Sequence, residues 1–111
     1  MTVTELSEKC GFKILNMNEA GIDISGVYCC DLLSVVMGRA FSHCAWVTVM
    51  GNINSIAVAT LADISCIVLS DTAALDESAL AKARQQRVTV LKSQLPIFET
   101  ALEIHKAVGN A

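Results

Sequence analysis

From Trp46 to Thr72 the chain carries a single charge, Asp63, before Asp71. An apolar run from Trp46 to Met50 ends in Gly51-Asn52. An uncharged segment follows, in which Ile56, Ala57, Ala59, Thr60 and Leu61 leave scarcely any polar face. A second apolar run, Cys66 to Leu69, ends in Ser70-Asp71-Thr72. The pattern predicts a buried strand, helix and strand. A helix apolar on both sides predicts cover by the sheet on one side and by something else, such as a second subunit, on the other.

The flanking segments extend this rhythm. Residues 4–9 predict a short helix capped by Thr2 or Thr4, with Val3, Leu6 and Cys10 on one face and Gly11 as its stop. Residues 12–15 read as a first strand and 16–21 as a turn. A second strand is expected over residues 22–30, and Asp31 is expected to cap a helix over residues 32–41. Asn52 or Asn54 caps the central helix, and Asp76 caps a polar helix over residues 77–87. A last strand at residues 88–91 leads to a helix with Pro96 in its first position. Ile97, Ala101, Ile104 and Val108 line one face of that helix, and Gly109 ends it. After Ile22 the order is strand-helix, four times. The expected fold is therefore α/β in three layers: a mostly parallel sheet of four to five strands, helices on both faces, right-handed crossovers. Residues 1–111 are expected to form one domain, with residues 1–20 as a helix-and-strand extension.

Composition changes this picture in one respect. Hydrophobic residues make up 53% of the 111 and charged residues 17%, below the usual ~25%. So little polar material predicts an oligomer interface, most simply a two-fold homodimer. The net charge of −3 comes with no basic patch, which argues against nucleic acid as a partner. Gly51, Asn52, Asn54 and Asp63 interrupt the central apolar stretch, which argues against a membrane span. The five cysteines are odd in number, and Met1-Thr2-Val3-Thr4 leads into a charged turn rather than an apolar signal segment. Reduced thiols in the cytoplasm are expected.

In a parallel sheet, ligands lie beyond the carboxyl ends of the strands. Four segments meet that description: Cys29-Cys30-Asp31, Met50-Gly51-Asn52-Ile53-Asn54-Ser55, Ser70-Asp71-Thr72 and Lys92-Ser93-Gln94. The candidate ligand-binding residues are accordingly Asp31, Met50, Gly51, Asn52, Asn54, Ser55, Ser70, Asp71, Thr72, Lys92 and Ser93. At Gly51 the backbone can approach a ligand, and the helix that follows presents free N–H groups to an anion. The plainer reading is an asparagine-capped turn. Asp31 is read first as a cap and second as an acid; Asp71 serves equally as a ligand contact or a turn residue. Cys29, Cys30, His43, Cys44 and Cys66 could in principle gather a metal, but their spacing matches no zinc or redox pattern, and buried thiols are the simpler account. His43 and His105 have no neighbour that would make either a base. Trp46 is read as core or interface. No cofactor is expected.

The segments Gly51-Asn52-Ile53-Asn54, Ala62-Asp63-Ile64-Ser65-Cys66-Ile67-Val68-Leu69-Ser70-Asp71 and the closing Phe98-Glu99-Thr100-Ala101 together resemble the DRTGG domain family. That family has a strand ending in a Gly-Asp-Arg turn before a helix, then a strand ending in Thr-Gly-Gly. The resemblance covers about residues 21–108. Gly51-Asn52-Ile53-Asn54 stands in place of Gly-Asp-Arg, Ser70-Asp71-Thr72 in place of Thr-Gly-Gly, and Pro96-Ile97 in place of Asp-Thr. The chain is similar to a short, stand-alone, divergent bacterial member. The resemblance implies the fold and a dimer. The first reading of function is a non-enzymatic regulatory module that binds a small ligand, nucleotide-like or phosphorylated, and acts on a partner protein. Two other readings stand beside it. One is a small enzyme or phosphate-transfer accessory built on the Gly51–Ser55 turn, with Asp31 or Asp71 as acid/base and Lys92 as a charge clamp. The other is a cysteine-based metal or redox accessory, which the resemblance places in a hydrogenase-related or redox-signalling setting. A Walker-type phosphate loop is absent from the sequence.

Overall fold

The computed structural model describes residues 1–19 and 21–109. Ten elements alternate along it: α1 (Val3–Cys10), β1 (Lys13–Asn16), β2 (Gly26–Cys29), α2 (Leu33–Arg39), β3 (Cys44–Thr48), α3 (Ile53–Leu61), β4 (Cys66–Leu69), α4 (Glu77–Gln86), β5 (Val90–Lys92) and α5 (Ile97–Val108). The five strands form one sheet in the order β1-β5-β4-β3-β2. β2 to β5 are parallel, and β1 is antiparallel to β5 at the edge. The α/β, mostly parallel, three-layer architecture expected from the sequence is the one found.

β3 and β4 are buried at every position, as strands covered on both faces must be. Their side chains alternate between two cores. Cys44, Trp46, Ile67, Leu69 and Val90 pack with α2, α3 and α4 through Val36, Ile56, Ala59, Ala79 and Ala83. Ala45, Val47, Cys66, Val68 and Leu91 pack with α1 and α5 through Val3, Leu6, Ile104 and Ala107. Because β2, β3, β4 and β5 are laid side by side in chain order, right-handed crossovers put all three connecting helices on one face. Trp46 is fully buried, and its indole Nε1 donates to the Cys30 carbonyl at 2.9 Å, the partner a buried tryptophan requires.

The caps explain where the helices begin and end. Thr2 and Glu5 form a reciprocal capping box on α1, and Gly11 closes it in the left-handed region. Asn52 caps α3, Asp76 caps α4 through the Ala79 N–H, and Gly109 closes α5.

Three expectations need correction. The second strand is shorter than residues 22–30: β2 starts at Gly26, while Ile22, Asp23 and Ile24 pair instead with Met1, Thr2 and Val3. Asp31 does not cap α2, whose N-cap is Leu32 without a side-chain bond. Pro96 is the N-cap of α5, one place before the first helical position expected for it. On α3, Ile53 is 44% and Leu61 73% exposed, on the side where further cover is expected. In the turn over residues 16–21, Ala20 lies outside the described residues.

Candidate functional site

All four segments singled out above lie along the carboxyl edge of the parallel strands, but they do not form one site. Asp31 and the Gly51 turn are tied up in the scaffold. The β2–β3 register sets Cys29 beside Val47, which carries Asp31 up to the end of β3. There its Oδ1 accepts from Thr48 Oγ1 at 2.7 Å and from the Val49 N–H at 3.0 Å. Thr48 Oγ1 in turn accepts from the Met50 N–H at 3.1 Å. The carboxylate thus fastens the ends of two strands.

At the Gly51 turn, Asn52 Oδ1 accepts from the N–H groups of Asn54 and Ser55, at 3.0 and 3.1 Å. Ser55 is buried and its hydroxyl donates to the Met50 carbonyl at 2.5 Å. Two of the first N–H groups of α3 are therefore already satisfied. The close approach at Gly51 comes from the chain itself: a β-carbon built there would lie 2.2 Å from the Ala74 carbonyl oxygen. Gly51 also accepts from the Asp76 N–H at 3.3 Å. The glycine gives room to the β4–α4 loop.

The other two segments meet in a more open arrangement. The chain leaves β4 toward α4 on one face of the sheet and leaves β5 toward α5 on the other. Neighbouring strands whose connections part in this way open a crevice at their carboxyl ends. Ser70 follows the last residue of β4, at the end of the sheet where these connections part. Its hydroxyl is fully buried and is the one buried side-chain oxygen or nitrogen among the described residues with no hydrogen-bond partner. Such a group carries a desolvation cost of about 1–3 kcal/mol.

Asp71 and Thr72 follow in the left-handed region, at φ 55° and 57°. The Ala73 N–H donates back to the Ser70 carbonyl at 3.0 Å, so residues 70–73 make a tight turn of type I′. A threonine in that conformation is a steric outlier. The Asp71 N–H donates to the Leu95 carbonyl at 2.7 Å and stitches the two walls together.

On the β5 side, Ser93 is structural. Thr100 Oγ1 donates to the Leu95 carbonyl at 3.0 Å, and the Ser93 hydroxyl lies 2.8 Å from Thr100 Oγ1, to which it donates. Ser93 Oγ accepts from the Leu95 N–H. This knot shapes the start of α5, whose N-cap, Pro96, supplies no side-chain bond. Lys92 is half-buried beside it. A cleft of about 450 Å³ opens here, lined by Lys92, Ser93, Gln94 and Leu95 together with Cys10 to Lys13. Lys13 was not among the residues the sequence pointed to.

The cysteine and histidine set does not converge. Cys29 lies toward the carboxyl end of β2, whereas Cys44 lies beside Gly26 at its start. The crossover through α2 returns the chain to the opposite end of the sheet. Cys44 and Cys66 face opposite cores, and burial pushes their thiols up to about 11 and about 12. Among the described residues no three His, Cys, Asp or Glu side chains are placed to hold a metal ion. His43 and His105 are exposed. No helix of the described residues is long and apolar enough to cross a membrane.

No protein-family model matches the chain, and no curated protein matches it. Among solved structures, the chain is similar to the CBS and DRTGG domains of the regulatory region of Clostridium perfringens pyrophosphatase, complexed with its activator, diadenosine tetraphosphate. The match has a TM-score of 0.77 at 9% identity, and covers 96% of this chain and 46% of that one. This chain thus spans about half of that structure's length, and at such identity the likeness is one of fold.

Proposed function

We propose that this chain is a divergent DRTGG-type domain over its whole length, and that it works as a non-enzymatic regulatory module in a bacterial cytoplasm. It binds a nucleotide-like or phosphorylated small molecule in the crevice between β4 and β5 and passes the signal to a partner protein. The observation that carries the reading is Ser70: a buried hydroxyl without a hydrogen-bond partner, at the carboxyl end of β4 where the chain connections part, is a group left for a ligand to satisfy. The backbone supports the family reading. Asp71 and Thr72 hold positive φ, and these are the positions where the DRTGG pattern carries its two glycines. The structural neighbour is a regulatory region described with a dinucleotide activator, which is the reason to begin with that class of ligand.

The test is thermal stability of the chain with and without ATP or diadenosine tetraphosphate. Wild type is expected to gain several degrees at saturating ligand. Ser70→Ala removes the orphaned group, so the ligand-free protein should melt at or slightly above the wild-type temperature, by up to about 1 kcal/mol. Its ligand-induced gain should shrink. A Ser70→Ala protein that is less stable alone, or that responds to ligand as wild type does, rules the crevice out.

We further propose that the module is a homodimer. Leu32, Val35, Met37 and Phe41 in and around α2, with Ile53 and Leu61 on α3, are exposed, and α3 carries no charged residue. An apolar face of this kind on the connecting-helix side of the sheet suits a second copy. Leu61→Glu is expected to leave the fold intact, since Leu61 is largely exposed, and to shift the sedimentation coefficient from dimer to monomer. A wild-type monomer at micromolar concentration would sink this part of the reading.

A further inference from the structure

Lys13 and Lys92 are direct cross-strand partners in the antiparallel β1–β5 pair. Residues so opposed project on the same face with Cβ atoms roughly 4.5–5.5 Å apart, and like charges there repel. Ordinarily a carboxylate would sit between them. The ion pairs among the described residues are Met1 with Asp23 and Glu103 with Lys106, and neither engages these two lysines. Both line the 450 Å³ cleft, and its lining contains no acidic residue. In a chain of net charge −3, a recess carrying two positive charges and no negative one runs against the overall sign.

The rest of the lining suits the same charge. Gln94, exposed and uncharged, also lines the cleft. The carbonyl end of α1 also reaches this cleft, and there the Ser7 carbonyl takes the N–H groups of Gly11 and Phe12.

The geometry points to an anion site in which Lys13 and Lys92 together hold a phosphoryl group, as the charged end of a polyphosphate or nucleotide. One anion between two ammonium groups replaces a repulsion with two charge-assisted hydrogen bonds. The size of the cleft suits a small-molecule ligand. This deepens the ligand-binding reading above and rests on it for the use of the β5 end of the sheet. It adds the ligand's charged group and assigns Lys13, from the N-terminal strand, to the site.

The experiment titrates the whole chain with inorganic tripolyphosphate, followed by thermal shift, with sodium chloride at matched ionic strength as control. Wild type should show a saturable rise beyond the salt control. Lys13→Gln and Lys92→Gln should each weaken the apparent affinity at least fivefold. Lys13→Arg should keep most of the response, and Lys9→Gln all of it. Without anion, Lys13→Gln should melt no lower than wild type, because a repulsion has been removed; this guards against reading misfolding as lost binding. A Lys13→Gln protein that folds and responds like wild type overturns the site, as does an equal loss in Lys9→Gln. Suppose tripolyphosphate acts through both lysines while diadenosine tetraphosphate adds nothing to it. Then the anion site stands and the nucleotide reading falls. If diadenosine tetraphosphate binds Lys13→Gln undiminished, the reverse holds.

Discussion

Gly51→Ala is expected to lower the stability of this protein by about 3 kcal/mol, the range of severe overpacking. For a domain of this size that is a fall in melting temperature on the order of 10 °C. The reason is space. Gly51 does not hold a positive φ, so alanine suits its backbone. The added methyl carbon, however, would fall 2.2 Å from the Ala74 carbonyl oxygen and 3.2 Å from Leu69 Cδ1. The near atom is backbone, in a loop that the Asp76 N–H ties to the Gly51 carbonyl, and it cannot rotate away. Relief requires the β4–α4 connection to move, which would disturb the Asp76 cap of α4 and the walls of the crevice. Urea denaturation of the variant measures this directly. A midpoint within error of wild type would mean that the loop moves freely and that Gly51 does not organise it.

Thr72→Gly is expected to act in the opposite direction, raising stability by about 1 kcal/mol. Holding a β-branched residue in the left-handed region costs about 1–3 kcal/mol. Glycine removes that strain and gives back part of the gain through its larger unfolded-state entropy. The Ala73 N–H to Ser70 carbonyl bond that closes the turn uses no side chain and survives the change. Calorimetry should show a melting temperature a few degrees higher. A lower one would mean that the Thr72 side chain holds the turn by contacts that outweigh the strain.

How far the sequence led can be judged from particular segments. The central strand-helix-strand was legible because its signals agree. Short, β-branched apolar runs bounded by turn residues suit strands covered on both sides, and an asparagine, Asn52 or Asn54, marks the helix start. The segment around Asp31 misled because an aspartate before a helix has two possible employers. Here the end of β3 offers it a hydroxyl and an N–H in register, and the cap loses. Alternation over residues 22–30 correctly predicted extended backbone, but not that its first half would pair with Met1–Val3 rather than with β3. Of the proposed ligand-contacting residues, the Gly51 group turned out to be self-satisfied, Ser70 is buried without a hydrogen-bond partner, and Lys92 lines a cleft. Lys13 left no mark at all in the sequence. Its importance comes from a pairing between opposite ends of the chain, and no local pattern encodes that.

That pairing also has a bearing on how the protein acquires its structure. β2 through β5 can be assembled in order, each strand docking beside the one just made across a single short crossover. β1 cannot join until β5 exists. The side-chain bond from Asn16 to the Val88 carbonyl, for example, closes a loop of 72 positions, and long loops close late because their entropic cost precedes any reward. The β1 edge is therefore expected to be the last piece to dock and the first to open. Amide hydrogen exchange should be fastest in β1 among the strands. An anion held between Lys13 and Lys92 would fasten that closing seam, so ligand occupancy would be read out as how often the amino-terminal segment comes away from the sheet.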